Sequence, residues 1–292
     1  MKILIISPYR GIGDLIFHLP LIRYLNKKFK SKINLIVNPN TKAKLILNNE
    51  RSISKISYAN FNRQQQIIKI IDLTKKINQF KSDLAVLTAP SKRLKASVLL
   101  SNSNNKIYFS KNKEIDLAKY IFRETKKKFN ITKFDRNYKL NSNFYKKKNI
   151  KKNIFISVDS NHNQNNWGEE NYLNLIDKLQ YKKYKIFINF SPKNKKKFKI
   201  VINKFKNKFN IVFTYKKKFT DILKIINKCD YIIGNESGPV CIAASLNKKV
   251  LSIYNPSTTP QSSRTINKSV NYINSKKINP KSALNKIIKF IK

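Results

Sequence analysis

Three carboxylates in this sequence fall where short apolar runs end: Asp14, Asp159 and Glu236. With 62 Lys and Arg against 15 Asp and Glu, an acid at such a place stands out from a sparse background. Asp14 closes "KILIISPYRGIGD", a strand-like run, a turn with Gly11 and Gly13, and the start of a helical pattern. Two chemistries fit it. An Asp at a helix start caps free backbone N–H groups, worth about 1 kcal/mol. A carboxylate held on a rigid strand-to-helix turn also suits a general base aimed at a substrate hydroxyl. The helix dipole keeps it ionised at neutral pH and weakens it as a base unless it is partly desolvated.

A dinucleotide fingerprint does not fit the same turn. After Gly11-Ile12-Gly13 the third glycine is replaced by Ile16, and "KINLIVN" ends in Asn38 rather than an acid. A carboxylate at that helix start would repel a pyrophosphate.

The second constellation is "CDYIIGNESGPVCIAASLNKKVLSIYNPS", residues 229–257, read as strand, loop, helix, strand. Gly234 and Gly238 bracket Asn235, Glu236 and Ser237, and the following helix carries the small residues Ala243 and Ala244. Its N-terminus offers free N–H groups and a positive dipole end, suited to a diphosphate. Glu236 and Ser237 stand where they can bond sugar or ribose hydroxyls. The bland alternative is an ordinary capped helix.

These residues need elements to hold them. Short β-branched runs alternate with helical patterns, which predicts parallel α/β architecture. Strands are expected near 2–7, 32–38, 54–59, 84–89 and 106–110, with helices near 14–28, 41–49, 63–80 and 91–101. Leu15, His18, Leu19, Ile22 and Leu25 give the first helix its apolar stripe, so His18 reads as packed on that face. Pro20 should kink this helix. Polar residues 143–153 read as a linker. Beyond it come strand 153–158, helix 169–180, strand 185–190, helix 193–207, strand 210–215, helix 219–229, strand 231–234, helix 238–247, strand 249–254 and helix 280–291. Two doubly wound domains, 1–145 and 146–292, are expected to hold ligands at the carboxyl ends of their strands, with the last helix available to pack back on the first domain.

No apolar stretch approaches the roughly 18–20 residues that cross a bilayer. "KILIIS" is too short for a secretory core, so a cytoplasmic protein is expected. Cys229 and Cys241 fit no metal spacing or disulfide framework and read as buried thiols. The net charge of +47 comes from lysines scattered in runs, alongside abundant Asn and Ile. AT-rich codons raise all three residue types together, so the charge alone names no partner. Without a basic arm, zinc-finger spacing or an aromatic nucleic-acid strand, no nucleic-acid partner is expected; attraction to an anionic membrane stays open.

Taken together, "RGIGDLIFHLPLIRYLNKKF", "NNWGEENYLNLIDKL" and "GNESGPVCIAASLNKKVLSIYNPS" resemble three segments, in the same order, of the ADP-heptose:lipopolysaccharide heptosyltransferases, glycosyltransferase family nine. The resemblance spans nearly the whole chain. It implies a GT-B fold, two Rossmann-like domains facing across a cleft, and an inverting, metal-independent transfer with no cofactor beyond the nucleotide-sugar. Asp14 matches the family's base. The implied donor site draws on Gly13, Asp159, Ser160, Asn165, Asn235, Glu236, Ser237, Gly238 and Cys241. Arg10, Arg63, Lys92 and Arg93 are the implied contacts for an anionic glycolipid acceptor. A monomer is expected, cytoplasmic, with a peripheral place on the cytoplasmic face of the inner membrane as the further option that the scattered charge leaves open.

The sequence departs from the family pattern in three places. Glu236 stands for the usual Asp, Cys241 for the usual His, and Asn165 and Asn166 precede Trp167 where a basic residue is common. Two alternatives stay open: a same-fold transferase with another donor or acceptor, and a GT-B binding protein that has lost turnover. Trp167 reads as a packing anchor before a base-stacking platform. His162 reads as a loop residue before a phosphate contact.

Overall fold

The computed structural model describes residues 1–61, 66–110, 116–141, 152–160, 167–180, 184–254 and 262–291. The chain divides into two compact units, Met1–Asn141 and Ser142–Lys292. The expected linker, 143–153, lies largely outside the described residues.

The first unit is one parallel sheet in the order β3-β2-β1-β4-β5. Its strands are β1 (Ile3–Ser7), β2 (Ile33–Val37), β3 (Ile53–Tyr58), β4 (Leu84–Leu87) and β5 (Asn105–Tyr108). The central strands β1 and β4 are buried along their whole length, and their continuous Ile, Leu and Val runs suit a sheet covered on both faces. The helices are α1 (Ile12–Ile16), α2 (Leu19–Phe29), α3 (Ala43–Ile46), α4 (Gln66–Asn78), α5 (Lys92–Leu99) and α6 (Leu117–Phe129).

The first helix is not a kinked rod over 14–28. It ends at Ile16, and α2 starts afresh at Leu19 with Pro20 in its first turn. Proline has no N–H to give a preceding carbonyl and its ring crowds the turn before it, so the chain restarts the helix where proline is tolerated. Helix 41–49 is likewise reduced to a 3-10 turn at Pro39–Thr41 and the short α3. The tail of the unit is tied down by Arg23. Its guanidinium pairs with the buried Glu50 at 2.5 Å and donates to the carbonyls of Asn137 at 2.9 Å and Lys139 at 2.6 Å.

The second unit is a parallel sheet in the order β11-β10-β9-β6-β7-β8. Its strands are β6 (Asn153–Ser157), β7 (Lys185–Asn189), β8 (Ile211–Phe213), β9 (Tyr231–Asn235), β10 (Lys249–Tyr254) and β11 (Asn271–Asn274). They alternate with α7 (Glu169–Gln180), α8 (Lys199–Phe205), α9 (Phe219–Lys228), α10 (Gly238–Ser245), α11 (Ser262–Ile266) and α12 (Pro280–Ile291). The apolar stripe of α12, Ala283, Leu284, Ile287 and Ile291, is buried in this unit's own core with Ile154, Tyr231 and Ile273. Helix 193–207 shortens to α8 behind a 3-10 turn at Pro192–Asn194.

Each sheet reverses its strand order once, between β1 and β4 in the first unit and between β6 and β9 in the second. Crevices at the carboxyl ends of strands, at such reversals, are where open α/β sheets hold ligands.

Candidate active site

At the reversal of the first sheet, the chain leaves β1, turns through Gly11 and enters α1, with Asp14 in its first turn. Asp14 is half-buried, and its Oδ2 accepts from the Gly11 N–H at 2.9 Å. A Cβ on Gly11 would sit 2.7 Å from that oxygen, so glycine leaves the space into which the carboxylate folds back. Both readings of Asp14 thus coexist in geometry: one oxygen serves the helix start, and the side chain keeps solvent exposure.

His18 is more than a packed face. It is 1% exposed and bridges two elements: Nδ1 lies 2.7 Å from the Asp14 carbonyl oxygen and Nε2 lies 2.9 Å from Thr88 Oγ1, just past β4. A carbonyl only accepts, so Nδ1 carries the proton and Nε2 accepts from the Thr88 hydroxyl. Burial pushes the imidazole pKa down to about 4, against a smaller opposing effect of the Asp14 carbonyl. The neutral ring therefore pins the backbone of Asp14 to the end of β4. Tyr9 completes the crevice, donating to the Thr88 carbonyl at 3.1 Å with its ring 5.7 Å from His18. Burial, then the neighbouring Tyr120 and Asp14, push the Tyr9 hydroxyl up, so it stays protonated.

Of the expected acceptor cations, Arg10 and Lys92 are exposed beside this crevice, on the β1–α1 loop and in the first turn of α5. Arg93 is directed elsewhere in part, donating to the Phe61 carbonyl at 2.8 Å. Arg63 lies outside the described residues.

The second reversal is built around a missing Cβ. Gly234 pairs with Ser157 across β6 and β9, and a Cβ there would meet the Ser157 carbonyl oxygen at 2.3 Å. Asn235 follows, fully buried. Its Oδ1 accepts from the Trp167 N–H at 3.1 Å and its Nδ2 donates to the Val158 carbonyl at 2.8 Å. These two bonds tie the loop ends together. Trp167 packs edge-on to Tyr172 at 5.1 Å within the core, as a packing anchor.

Glu236 corrects the expectation of a hydroxyl-binding acid. It is 5% exposed, and four donors fill its carboxylate. Oε2 accepts from Ser252 Oγ at 2.6 Å and Ser263 Oγ at 2.8 Å; Oε1 accepts from the Ser263 N–H at 2.8 Å and the Cys241 thiol at 3.6 Å. A carboxylate has about four acceptor positions, so none remains for a sugar. Burial raises its pKa, and the hydrogen bonds from Ser252, Ser263 and Cys241 pull it partly back. Glu236 positions β10, α10 and α11 around the loop. The buried Cys241 contributes to the same knot instead of offering a donor outward. Cys229 is buried too.

Ser237 and Gly238 remain partly open. Ser237 is the N-cap of α10, yet its side chain does not cap the helix; its Oγ lies 3.2 Å from Ser157 Oγ. Pro239 has no N–H, and the Cys241 N–H is bonded to the Ser237 carbonyl at 3.0 Å, which leaves the first-turn donors Gly238 and Val240 uncapped by any side chain among the described residues. The expected Asp159 is half-buried, and its Oδ2 accepts from the Ser191 N–H at 2.6 Å and Asn194 Nδ2 at 3.0 Å, fixing the loop after β7. Ser160 is buried beside it. Asn165 and His162 lie outside the described residues. Gly13 sits inside α1 and adds no side chain to the crevice.

Thr88, Ser157, Ser252 and Ser263 carry no local signal in the sequence. Each is a small polar residue whose role comes from a partner 16 or more positions away.

The solved structures similar to this chain include a glycosyl transferase family 9 protein from Veillonella parvula, at 15% identity and TM-score 0.78, covering 99% of this chain and 89% of that one. The E. coli ADP-heptose LPS heptosyltransferase II matches at 15% identity and TM-score 0.75, covering 100% and 98%. E. coli heptosyltransferase WaaC, solved with ADP, matches at 12% identity and TM-score 0.75, covering 99% and 100%. Identities this low carry the fold, which is GT-B. No curated protein sequence matches the chain. The family model for glycosyltransferase family 9 (heptosyltransferase) matches residues 105–289, more than half of the sequence, including β6, β9 and α10. The chain therefore belongs to glycosyltransferase family 9, the heptosyltransferase family, and is a glycosyltransferase.

Proposed function

We propose that the protein transfers a heptose, or a closely related sugar, from an ADP-sugar to an inner-core lipopolysaccharide or related envelope saccharide, with inversion and without a metal. In this reading the crevices of the two units serve one reaction. Asp14 takes the proton of the acceptor hydroxyl as its oxygen bonds to the anomeric carbon, and the bond from that carbon to the diphosphate breaks. Displacement from the face opposite the leaving group inverts the centre. The departing ADP carries the electron pair away, and its growing charge meets the Gly238 and Val240 N–H groups and the dipole of α10. Arg10 and Lys92 are suited to an anionic acceptor.

The observation that carries the proposal is the α10 start. Its N-cap serine is turned to Ser157, and no described side chain caps the first-turn N–H groups. ADP bound to the similarly folded WaaC supports the nucleotide. The departures at Glu236 and Cys241 do not favour a binding protein that has lost turnover, because the two side chains contact each other inside the fold.

The test is a thermal-shift panel of ADP, UDP, GDP and CDP, alone and as sugar conjugates. Binding raises the melting temperature with ln(1 + [L]/Kd). The largest shift is expected for ADP and ADP-heptose. A preference for UDP or GDP would assign another donor.

A further inference from the structure

Five of the ten exposed large apolar side chains among the described residues lie on α4, on α5 and at the end of α5: Ile67, Ile68, Ile71, Leu99 and Leu100. Three of them form one face. Leu73 and Ile77 turn α4 toward the core, while Ile67, Ile68 and Ile71, at 75%, 57% and 48% exposure, share the opposite arc with Lys75. The helix is held in place under this face. Thr74 Oγ1 donates to the Ser97 carbonyl of α5 at 3.1 Å, and the Asn102 N–H donates to Asn78 Oδ1 at 2.8 Å. The isoleucines are thus presented by a fixed scaffold.

Charge selects what covers them. α4 and α5 together carry Lys69, Lys75, Lys76, Lys92, Arg93 and Lys95 against the single acid Asp72. A second copy of a chain with net charge +47 would meet this face with like charge. An anionic bilayer meets it with opposite charge and takes up the isoleucines at the boundary between headgroups and acyl chains. α4 follows β3, so its N-terminal half stands at the carboxyl edge of the sheet, the edge that also carries Asp14 and Lys92.

We infer that Ile67, Ile68 and Ile71 of α4, flanked by the lysines of α4 and α5, dock the first unit on an anionic phospholipid surface. That places the crevice of Asp14 at the level where a lipid-linked acceptor presents its sugar. The inference takes only its purpose from the glycolipid reading; vesicle binding needs neither donor nor acceptor, so the two can fail separately.

The experiment is flotation of the full chain with vesicles of phosphatidylcholine containing roughly one-third phosphatidylglycerol, at low salt and at about 0.5 M NaCl, where lysine attraction is largely screened. The variant I67Q/I68Q/I71Q keeps the helix, since Gln is the better helix former, and circular dichroism verifies it. The wild type is expected to stay bound at high salt, with the triple variant partitioning at least about tenfold more weakly. Equal flotation of the two proteins at high salt would overturn the inference. So would a wild-type dimer in light scattering that the triple variant dissolves, since a second copy would then cover the face.

Discussion

Both units place a carboxylate just past a central strand, at the mouth of the crevice where the sheet reverses, and they treat it in opposite ways. Asp14 stays half-exposed and accepts the Gly11 N–H; Glu236 is drawn under the loop and held by four donors. The helix starts behave inversely. Gly11, at the start of α1, gives its N–H to the unit's own acid, while α10 begins with its serine turned aside and its donors unclaimed by any described side chain. An exposed carboxylate would repel a diphosphate at an open helix end, so burying Glu236 among hydroxyls is what makes that end usable. Under the proposed reaction the first crevice would receive a proton and the second negative charge.

The sharpest way to break this contrast is Asp14→Asn. The amide keeps the side chain's size but cannot take the acceptor's proton. Transfer from ADP-heptose is expected to fall by about 10²–10⁴, with the ADP-induced thermal shift unchanged. Undiminished transfer would reduce Asp14 to a helix cap and leave the first crevice without its base.

The site is legible in the sequence where one residue's own chemistry decides its place. Asp14 after Gly11 and Gly13, and the Gly234–Gly238 loop before a helix, are local signals, and the strands around them are continuous apolar runs. It is not legible where burial decides. An acid next to a glycine-rich helix start reads the same whether it faces a sugar or Ser263, because Ser252 and Ser263 become its partners only when β10 and α11 fold beside it. His18 has the spacing of a core residue, and only the arrival of Thr88, just past β4, turns it into a clamp. Likewise α6, α11 and β11 escaped the pattern reading; α11 and β11 are 5 and 4 residues long, too brief for periodicity to register.

The two crevices should also answer pH in opposite directions. His18 has its pKa lowered to about 4 from an ordinary value of 6.5, so the unfolded chain binds the extra proton between those values. Its contribution is fully present above pH 6.5 and is lost as pH falls toward 4, about 3 kcal/mol in all. Glu236 has its pKa raised, so its contribution is present below the ordinary carboxylate value and is lost as pH rises through the folded value. Denaturant titrations of wild type, His18→Gln and Glu236→Gln across pH 4 to 7 separate the two. His18→Gln is expected to flatten the rising part of the profile and Glu236→Gln the falling part. Parallel profiles for all three proteins would show that neither group changes its protonation on folding.

The smallest effect tests the bond that distinguishes the first helix start. At Gly11 φ is −82° and ψ is 149°, a conformation that alanine adopts freely, so Gly11→Ala meets no backbone objection. The new methyl would instead lie 2.7 Å from Asp14 Oδ2, the mobile end of a side chain, and would push the carboxylate off the Gly11 N–H. At Gly234 the same methyl would strike the Ser157 carbonyl, which belongs to a sheet and cannot yield. Gly11→Ala should therefore lower stability by about 1 kcal/mol or less, the value of one cap. If the capping bond also aims the carboxylate, transfer should drop about tenfold while ADP still shifts the melting temperature. A rate equal to wild type would mean that the clamp through His18 and Thr88 suffices to hold Asp14 in line, and that its bond to Gly11 serves the helix alone.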